Sequence, residues 1–194
     1  MTLQPSRLDI GPYHDRLWPA YKEYCTTVSP RGMAISIETA AYLWWLCDHE
    51  EATRVVDLGS GFTSYVLREY AAHAGRDVIV MSVDDNESWL DKTGMFLHSV
   101  GHSADGLYLA DEWRNTTGRF DVIIHDFSSG AIREEWMTVA ADRLEDGGVI
   151  IFDDAQHPEH YRHMCEVARS HSLYLLDVYE QTVDEIRRFA AVAA

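Results

Sequence analysis

The sequence predicts an α/β domain with a largely parallel sheet covered by helices on both faces. Three observations carry this. From Arg54 onward, short runs rich in Val and Ile alternate with stretches of helical period. Those runs are continuously apolar rather than alternating, as strands buried on both faces are. The final stretch, SLYLLDVYEQTVDEIRRFAAVAA, breaks the rhythm: two apolar runs flank a polar connection, which predicts a closing antiparallel hairpin.

The 194 residues are enough for one domain with a substantial core, and 46% of them are hydrophobic. The formal net charge is −16. Proteins that live by neutralising phosphates are basic, so nucleic acid and anionic membrane surfaces are not expected partners. No run of about 18 uncharged apolar residues suggests a membrane span. The start, MTLQPSRLDIGPYHDR, lacks the charged and then apolar pattern of a secretory signal. Cys25, Cys47 and Cys165 are odd in number and form no CxxC pair. That argues against a disulfide framework or zinc module and predicts a cytoplasmic protein.

The elements follow in order. The first 35 residues are rich in aromatics, with Tyr13, Trp18, Tyr21 and Tyr24. SIETAAYLWWLCDHE then reads as a helix. Ser36 caps it, Glu38 sits in the first turn where the dipole favours an anion, and Ile37, Ala40, Ala41, Trp44 and Cys47 share one face. Tyr42, Trp45 and His49 fall on a second face. The strand candidates are RVVDL, DVIVMSVD, GLYLA, FDVIIHD and GGVIIFDD, followed by SLYLLDVY. Between them, SWLDKTGMFLHSV puts Trp89, Leu90, Thr93, Phe96, Leu97 and Val100 on one face. AIREEWMTVAADRL does the same with Ile132, Trp136, Val139, Ala140 and Leu144. Pro158 reads as the first residue of a further helix that carries His160 and His163, to which no role is assigned.

The chemistry concentrates at strand ends. In Asp57-Leu58-Gly59-Ser60-Gly61-Phe62-Thr63-Ser64, the glycines let a ligand approach the backbone and the following helix offers free N–H groups. A carboxylate at Asp57 would repel a pyrophosphate but suits a ligand carrying an ammonium or sulfonium charge. Asp84, followed by Asp85, ends the second strand 23 residues after Gly61, placed to accept hydrogen bonds from ribose hydroxyls. Asp111 follows the third strand, within reach of an adenine amino group. The plain alternative is that Asp simply favours strand ends and helix caps.

Together these stretches resemble the class I S-adenosylmethionine-dependent methyltransferases, from about Ser36 to the C-terminus. VVDLGSGFTS matches the glycine motif, VMSVDDN the ribose acid, FDVIIHDFSS the fourth strand and LEDGGVIIFDDA the fifth. AISIETAAYLWWLC is similar to the small-molecule O-methyltransferase branch. The resemblance implies a Rossmann-like, doubly wound, seven-stranded sheet of order 3-2-1-4-5-7-6. Length predicts one domain over 1–194, in which the aromatic residues 1–35 read as a helical lid or dimerisation segment and 36–194 as the cofactor-binding core. Asp57, Gly59, Ser60, Gly61, Thr63, Asp84, Asp85, Asp111 and Asp126 are then the cofactor-binding candidates. Thr63 and Ser64 stand where many members carry a third glycine.

In the metal-dependent enzymes of that branch, an Asp after the fourth strand and an Asp-Asn pair after the fifth bind a divalent cation. Asp126 and Asp153 match, while Asp154 stands where Asn is expected. Hard oxygen ligands suit Mg²⁺, which would lower a substrate hydroxyl's pKa and aim it. Neighbours on an extended strand point to opposite faces, so Asp153 and Asp154 can act together only if the strand breaks there. Without a metal a general base is needed, and His125, Asp126 and His157 are the catalytic candidates.

The expected reaction is methyl transfer to a small-molecule acceptor, at oxygen by resemblance to the branch. Two rivals remain at this level: a nicotinamide-dependent oxidoreductase, since the glycine and acid spacing also suits a dinucleotide, and a catalytically silent adenosylmethionine-binding module. Tyr13, Trp18 and Tyr21, with Tyr42, Trp45 and His49, offer a lid, an aromatic acceptor site or a homodimer interface, with core packing as the plain reading. Arg16, Lys22 and Arg31 nearby suit a substrate carboxylate or solvated surface equally.

Overall fold

The computed structural model describes residues 8–194. Two helices, α1 (Gly11–Thr27) and α2 (Ile37–His49), precede β1 (Arg54–Leu58), α3 (Phe62–His73), β2 (Ile79–Asp84), α4 (Glu87–Ser99) and β3 (Leu107–Leu109). Then come α5 (Ala110–Arg114), β4 (Phe120–His125), α6 (Gly130–Asp142), β5 (Leu144–Phe152), α7 (Pro158–Ser170), β6 (Leu175–Asp177), α8 (Tyr179–Thr182) and β7 (Ala191–Ala193).

The sheet order is β3-β2-β1-β4-β5-β7-β6, as the resemblance implied. Strands β1 to β5 pair in parallel, and β7 pairs antiparallel with both β5 and β6. The predicted hairpin is therefore real, with α8 in its connection. Successive strand residues feed opposite layers. Val55, Val122, Ile124 and Ile151 pack with α1 to α4, whereas Val56, Ile123, Ile150 and Phe152 pack with α5 to α7.

Two helix starts, at Ser36 and Pro158, follow their predicted chemistry, and Asn86 caps a third. The Ser36 hydroxyl oxygen accepts the Thr39 N–H at 3.0 Å, and Asn86 Oδ1 accepts the Trp89 N–H at 3.2 Å. Pro158 opens α7. Three expectations needed correction. The GLYLA run gives a strand of three residues, because Ala110 already begins α5. Helix α6 ends at Asp142, so Leu144 belongs to β5. Ile132 lies 48% exposed, and the inward place on α6 goes to its neighbour Arg133.

Helix α2 is buried on nearly every side, so Tyr42 of the supposed second face is core, while Trp45 is half-buried and His49 exposed. Helix α1 buries Leu17, Tyr21 and Tyr24 against α2 and α3. At roughly 1.5–3 kcal/mol for a fully buried large apolar side chain, this anchors α1 as a fixed wall. Arg188, just before β7, donates through Nε to Asp184 Oδ2 at 2.8 Å and through Nη1 to the Ala34 carbonyl at 2.8 Å. It thereby ties the C-terminal hairpin to the segment between α1 and α2. Arg31 pairs with Glu185 at 3.1 Å. No described helix is long and apolar enough to cross a membrane.

Candidate active site

The glycine turn is made where the ends of β1, β2 and β4 meet. The Asp126 N–H donates to the Leu58 carbonyl at 2.8 Å, and the Gly59 N–H to the Val83 carbonyl at 2.8 Å. Gly59 has φ +104°, and a Cβ there would stand 2.2 Å from the Asp126 carbonyl oxygen. Only glycine fits. At Gly61 the restriction comes from α1, because a Cβ would lie 2.9 Å from the Tyr24 hydroxyl oxygen.

Asp57 lies beneath this turn rather than facing the cleft. Its Oδ2 accepts the hydroxyls of Ser64 at 2.7 Å and Thr63 at 3.0 Å, and Ser64 Oγ accepts the Gly61 N–H at 3.2 Å. The carboxylate thus shapes the loop from below. Full burial raises its pKa to about 6, against the lowering effect of those hydroxyls and of Arg68. Its Oδ1 has no hydrogen-bond partner among the described residues.

Asp84 meets the turn from the other side. Its Oδ2 accepts the Ser60 N–H at 2.9 Å and the Ser60 hydroxyl at 3.0 Å, and its Oδ1 accepts the Asn86 N–H at 3.0 Å. Burial raises its pKa, and these bonds oppose that. The Trp89 indole N–H donates to the Ser60 carbonyl at 2.6 Å, closing this edge. Asp84, Asp85, Gly59, Ser60, Gly61 and Thr63 all line one cleft of about 630 Å³. Asp111 does not: it stands exposed in the first turn of α5, pulled away because the third strand ends early.

Across the cleft, oxygens of Asp126, Asp153 and Asp154 lie within 4.8 Å of one another. The condition set by strand geometry is met. Strand β5 ends at Phe152, and Asp154 adopts φ +61°, which swings its side chain to the same side as Asp153. Asp tolerates this left-handed conformation better than most residues. The Gln156 amide donates to Asp154 Oδ1 at 2.7 Å. Burial raises Asp126 to a pKa of about 6, with Arg133 opposing and Asp154 adding. Asp153 is driven well above the usual carboxylate range by burial, then by repulsion from Asp126 and Asp154.

Arg133 explains how three acids share this space. Its Nη2 donates to Asp126 Oδ1 at 3.1 Å, contacts Asp154 Oδ2 at 3.2 Å and donates to the Asp153 carbonyl at 3.3 Å. Three hard carboxylates suit a divalent cation in type. As arranged, however, two of the three already hold a guanidinium, so they are not an open ligand set.

The two histidines separate. His157 is the N-cap of α7 and lines the cleft at its exposed rim. His125 is a correction. It is fully buried against Phe152 in the layer of α5 to α7, with neither ring nitrogen partnered among the described residues. Burial, then repulsion from Arg133, lowers its pKa to about 3. Alternation along β4 turns His125 away from the cleft that its neighbour Asp126 faces.

Solved structures share this fold. An O-methyltransferase from Bacillus cereus, in complex with SAH, matches with TM-score 0.68 and 14% identity over 92% of this chain and 89% of that one. The O-methyltransferase TomG from Streptomyces achromogenes, in complex with SAM, matches with TM-score 0.63 and 17% identity over 100% and 98%. A precorrin-6y C5,15-methyltransferase from Geobacter metallireducens gives TM-score 0.63 and 16% identity over 84% and 90%. The chain has the fold of these methyltransferases. No protein-family pattern matches it, and no curated protein matches it by sequence.

Sequence reasoning missed Tyr24, Trp89, Arg133 and Arg188 as cleft-lining residues. Arg133 alone left a signal. It falls in step with Trp136, Met137 and Ala140 on the buried face of α6, where a charged residue needs a buried partner.

Proposed function

We propose that this chain moves a methyl group from S-adenosylmethionine to a hydroxyl of a small-molecule acceptor. One observation carries the reading: the glycine turn with Asp84 and a cluster of carboxylates face each other across one cleft. The turn itself lines the cleft at Gly59, Ser60 and Gly61, so a bound ligand could lie against its backbone. The Tyr24 hydroxyl and the Asp84 carboxylate supply polar groups on either side of that bare backbone. Bound S-adenosylmethionine would supply an activated methyl on a sulfonium. Asp84 would hold the ribose, and the turn with Tyr24 the methionine end.

Transfer from bound S-adenosylmethionine would form a C–O bond at the acceptor as the C–S bond breaks, with the electron pair staying on sulfur. The hydroxyl proton passes to the protein. Asp126 is the base the site offers: it lines the cleft, and a pKa raised to about 6 makes it a stronger base than an ordinary carboxylate while leaving it ionised at neutral pH. His157 stands at the rim, where a leaving proton would reach solvent. Positioning in line with the C–S bond supplies most of the remaining acceleration.

Calorimetric titration of S-adenosylhomocysteine on wild type and Asp84→Ala tests the cofactor reading. Saturable binding that the variant weakens at least about tenfold supports it. Thermal stabilisation by a nicotinamide dinucleotide and not by S-adenosylhomocysteine would replace it with the oxidoreductase reading. Release of S-adenosylhomocysteine against a panel of hydroxylated acceptors, lost in Asp126→Asn, separates an enzyme from a silent binding module.

A further inference from the structure

We infer that Arg133 is the resident cation of the acidic cluster, and that Asp126, Asp153 and Asp154 work around a guanidinium in place of a divalent metal ion. The geometry is that of a bridging cation. One nitrogen, Nη2, contacts a carboxylate oxygen from the end of β4 and another from beyond the end of β5, at 3.1 and 3.2 Å. It also donates to the backbone carbonyl of Asp153 at 3.3 Å, so the third acidic residue meets the same atom through its main chain, not its carboxyl group.

The guanidinium is not a surface visitor. Its side chain is 5% exposed, it rises from the first turn of α6 beneath the cluster, and Nη1 lies against the Ser128 carbonyl at 3.4 Å. Its Nε has no hydrogen-bond partner among the described residues. The Asp126 and Asp154 carboxylates hold the head group together with the backbone carbonyls of Ser128 and Asp153. An Arg stays charged at any working pH, and burying it is tolerable only with partners of this kind.

A divalent ion on the same cluster would need oxygens at roughly 2.0–2.6 Å. Sharing the oxygens that Arg133 already holds would put it no more than about 6 Å from Nη2, two cations in a poorly screened pocket. The positive charge that a metal would contribute here is already supplied by the chain. Arg133 is thus a positioning residue: it gathers the carboxylates from two strands and fixes their direction.

Direct metal binding tests this, apart from any activity. Mn²⁺ is titrated as a spin probe into wild type, Arg133→Gln and Arg133→Lys, each first checked by thermal melting. The expected result is no saturable site below about 1 mM in wild type or Arg133→Lys, and binding at least about tenfold tighter in Arg133→Gln, which frees the carboxylates while keeping a polar side chain. Lys keeps the positive charge and Gln removes it, so a gain in metal binding confined to Gln follows the charge rather than a merely structural role for Arg133. A stoichiometric Mn²⁺ site in the micromolar range in wild type, or no gain in folded Arg133→Gln, overturns the inference. Should Arg133→Gln fail to fold, the wild-type titration decides alone: a tight site refutes the resident cation, and its absence supports it.

Discussion

The hydroxyl oxygen of Tyr24 stands over Gly61, 2.9 Å from where a Cβ would be. The two residues are 37 positions apart, and their meeting brings α1 to the glycine turn. A Gly61→Ala change should therefore cost about 1–3 kcal/mol by overpacking and weaken S-adenosylhomocysteine binding about tenfold. Tyr24→Phe in the same chain should recover at least half of the stability loss, because the crowded atom is gone. Gly59→Ala should cost more than Gly61→Ala and gain nothing from Tyr24→Phe, since its clash is with backbone at φ +104°. Urea unfolding of the four variants reads this out; equal losses for both glycines would contradict it.

Asp84 ends β2 and Asp111 follows β3, yet of the two only Asp84 lines the cleft. Asp84→Ala leaves the Ser60 and Asn86 N–H groups without their acceptor, at roughly 1–3 kcal/mol for each one that stays buried and unpaired. Cofactor affinity should fall at least about tenfold there and stay within about twofold in Asp111→Ala. Comparable losses from both would mean that the exposed acid on α5 bends back over the ligand.

If Asp126 takes the proton, it must be ionised to act. With a folded pKa of about 6, turnover should rise with pH through that value and level above it. Asp126→Asn keeps an oxygen for Arg133 but no base, so kcat should drop about 100-fold and the rise near pH 6 should vanish. Product affinity, measured separately, should change by less than about threefold. An unchanged pH–rate profile in the variant would move the base to His157.

His125 should prove dispensable. Its buried ring has no partner on either nitrogen, and folding penalises its protonated form. His125→Phe retains a tilted aromatic contact with Phe152 and should leave kcat within about twofold while holding or raising stability by up to about 1 kcal/mol. Loss of turnover in a folded variant would restore it to the reaction.

Asp57 carries a pH signature of its own. Its folded pKa, about 6, lies above the unfolded value near 3.9, so the folded state binds the proton more tightly. Its contribution to stability is full below about pH 4 and is lost as pH rises through 6. Between those limits wild type should lose on the order of 2 kcal/mol relative to Asp57→Asn, which has no charge to bury. Melting curves of both proteins at pH 4.5, 6 and 7.5 give the difference, and parallel curves would argue against it.

How much of this was legible in the chain depended on whether the signal was local. Continuous Val and Ile runs, the capping Ser36, Pro158 at a helix start and the spaced glycines each act within a few residues, so the order of elements and the glycine turn could be read directly. The resemblance supplied the strand order and pointed to Asp126, Asp153 and Asp154. The tertiary structure decided which of those groups meet. A left-handed turn at Asp154 brings two adjacent acids to one side, alternation on β4 turns His125 inward, and an early strand end carries Asp111 away. The union of Arg133 with Asp126 and Asp154, and of Tyr24 with Gly61, depends on contacts between elements distant in sequence. No local propensity encodes such contacts, because their energy exists only once the sheet has brought the partners together.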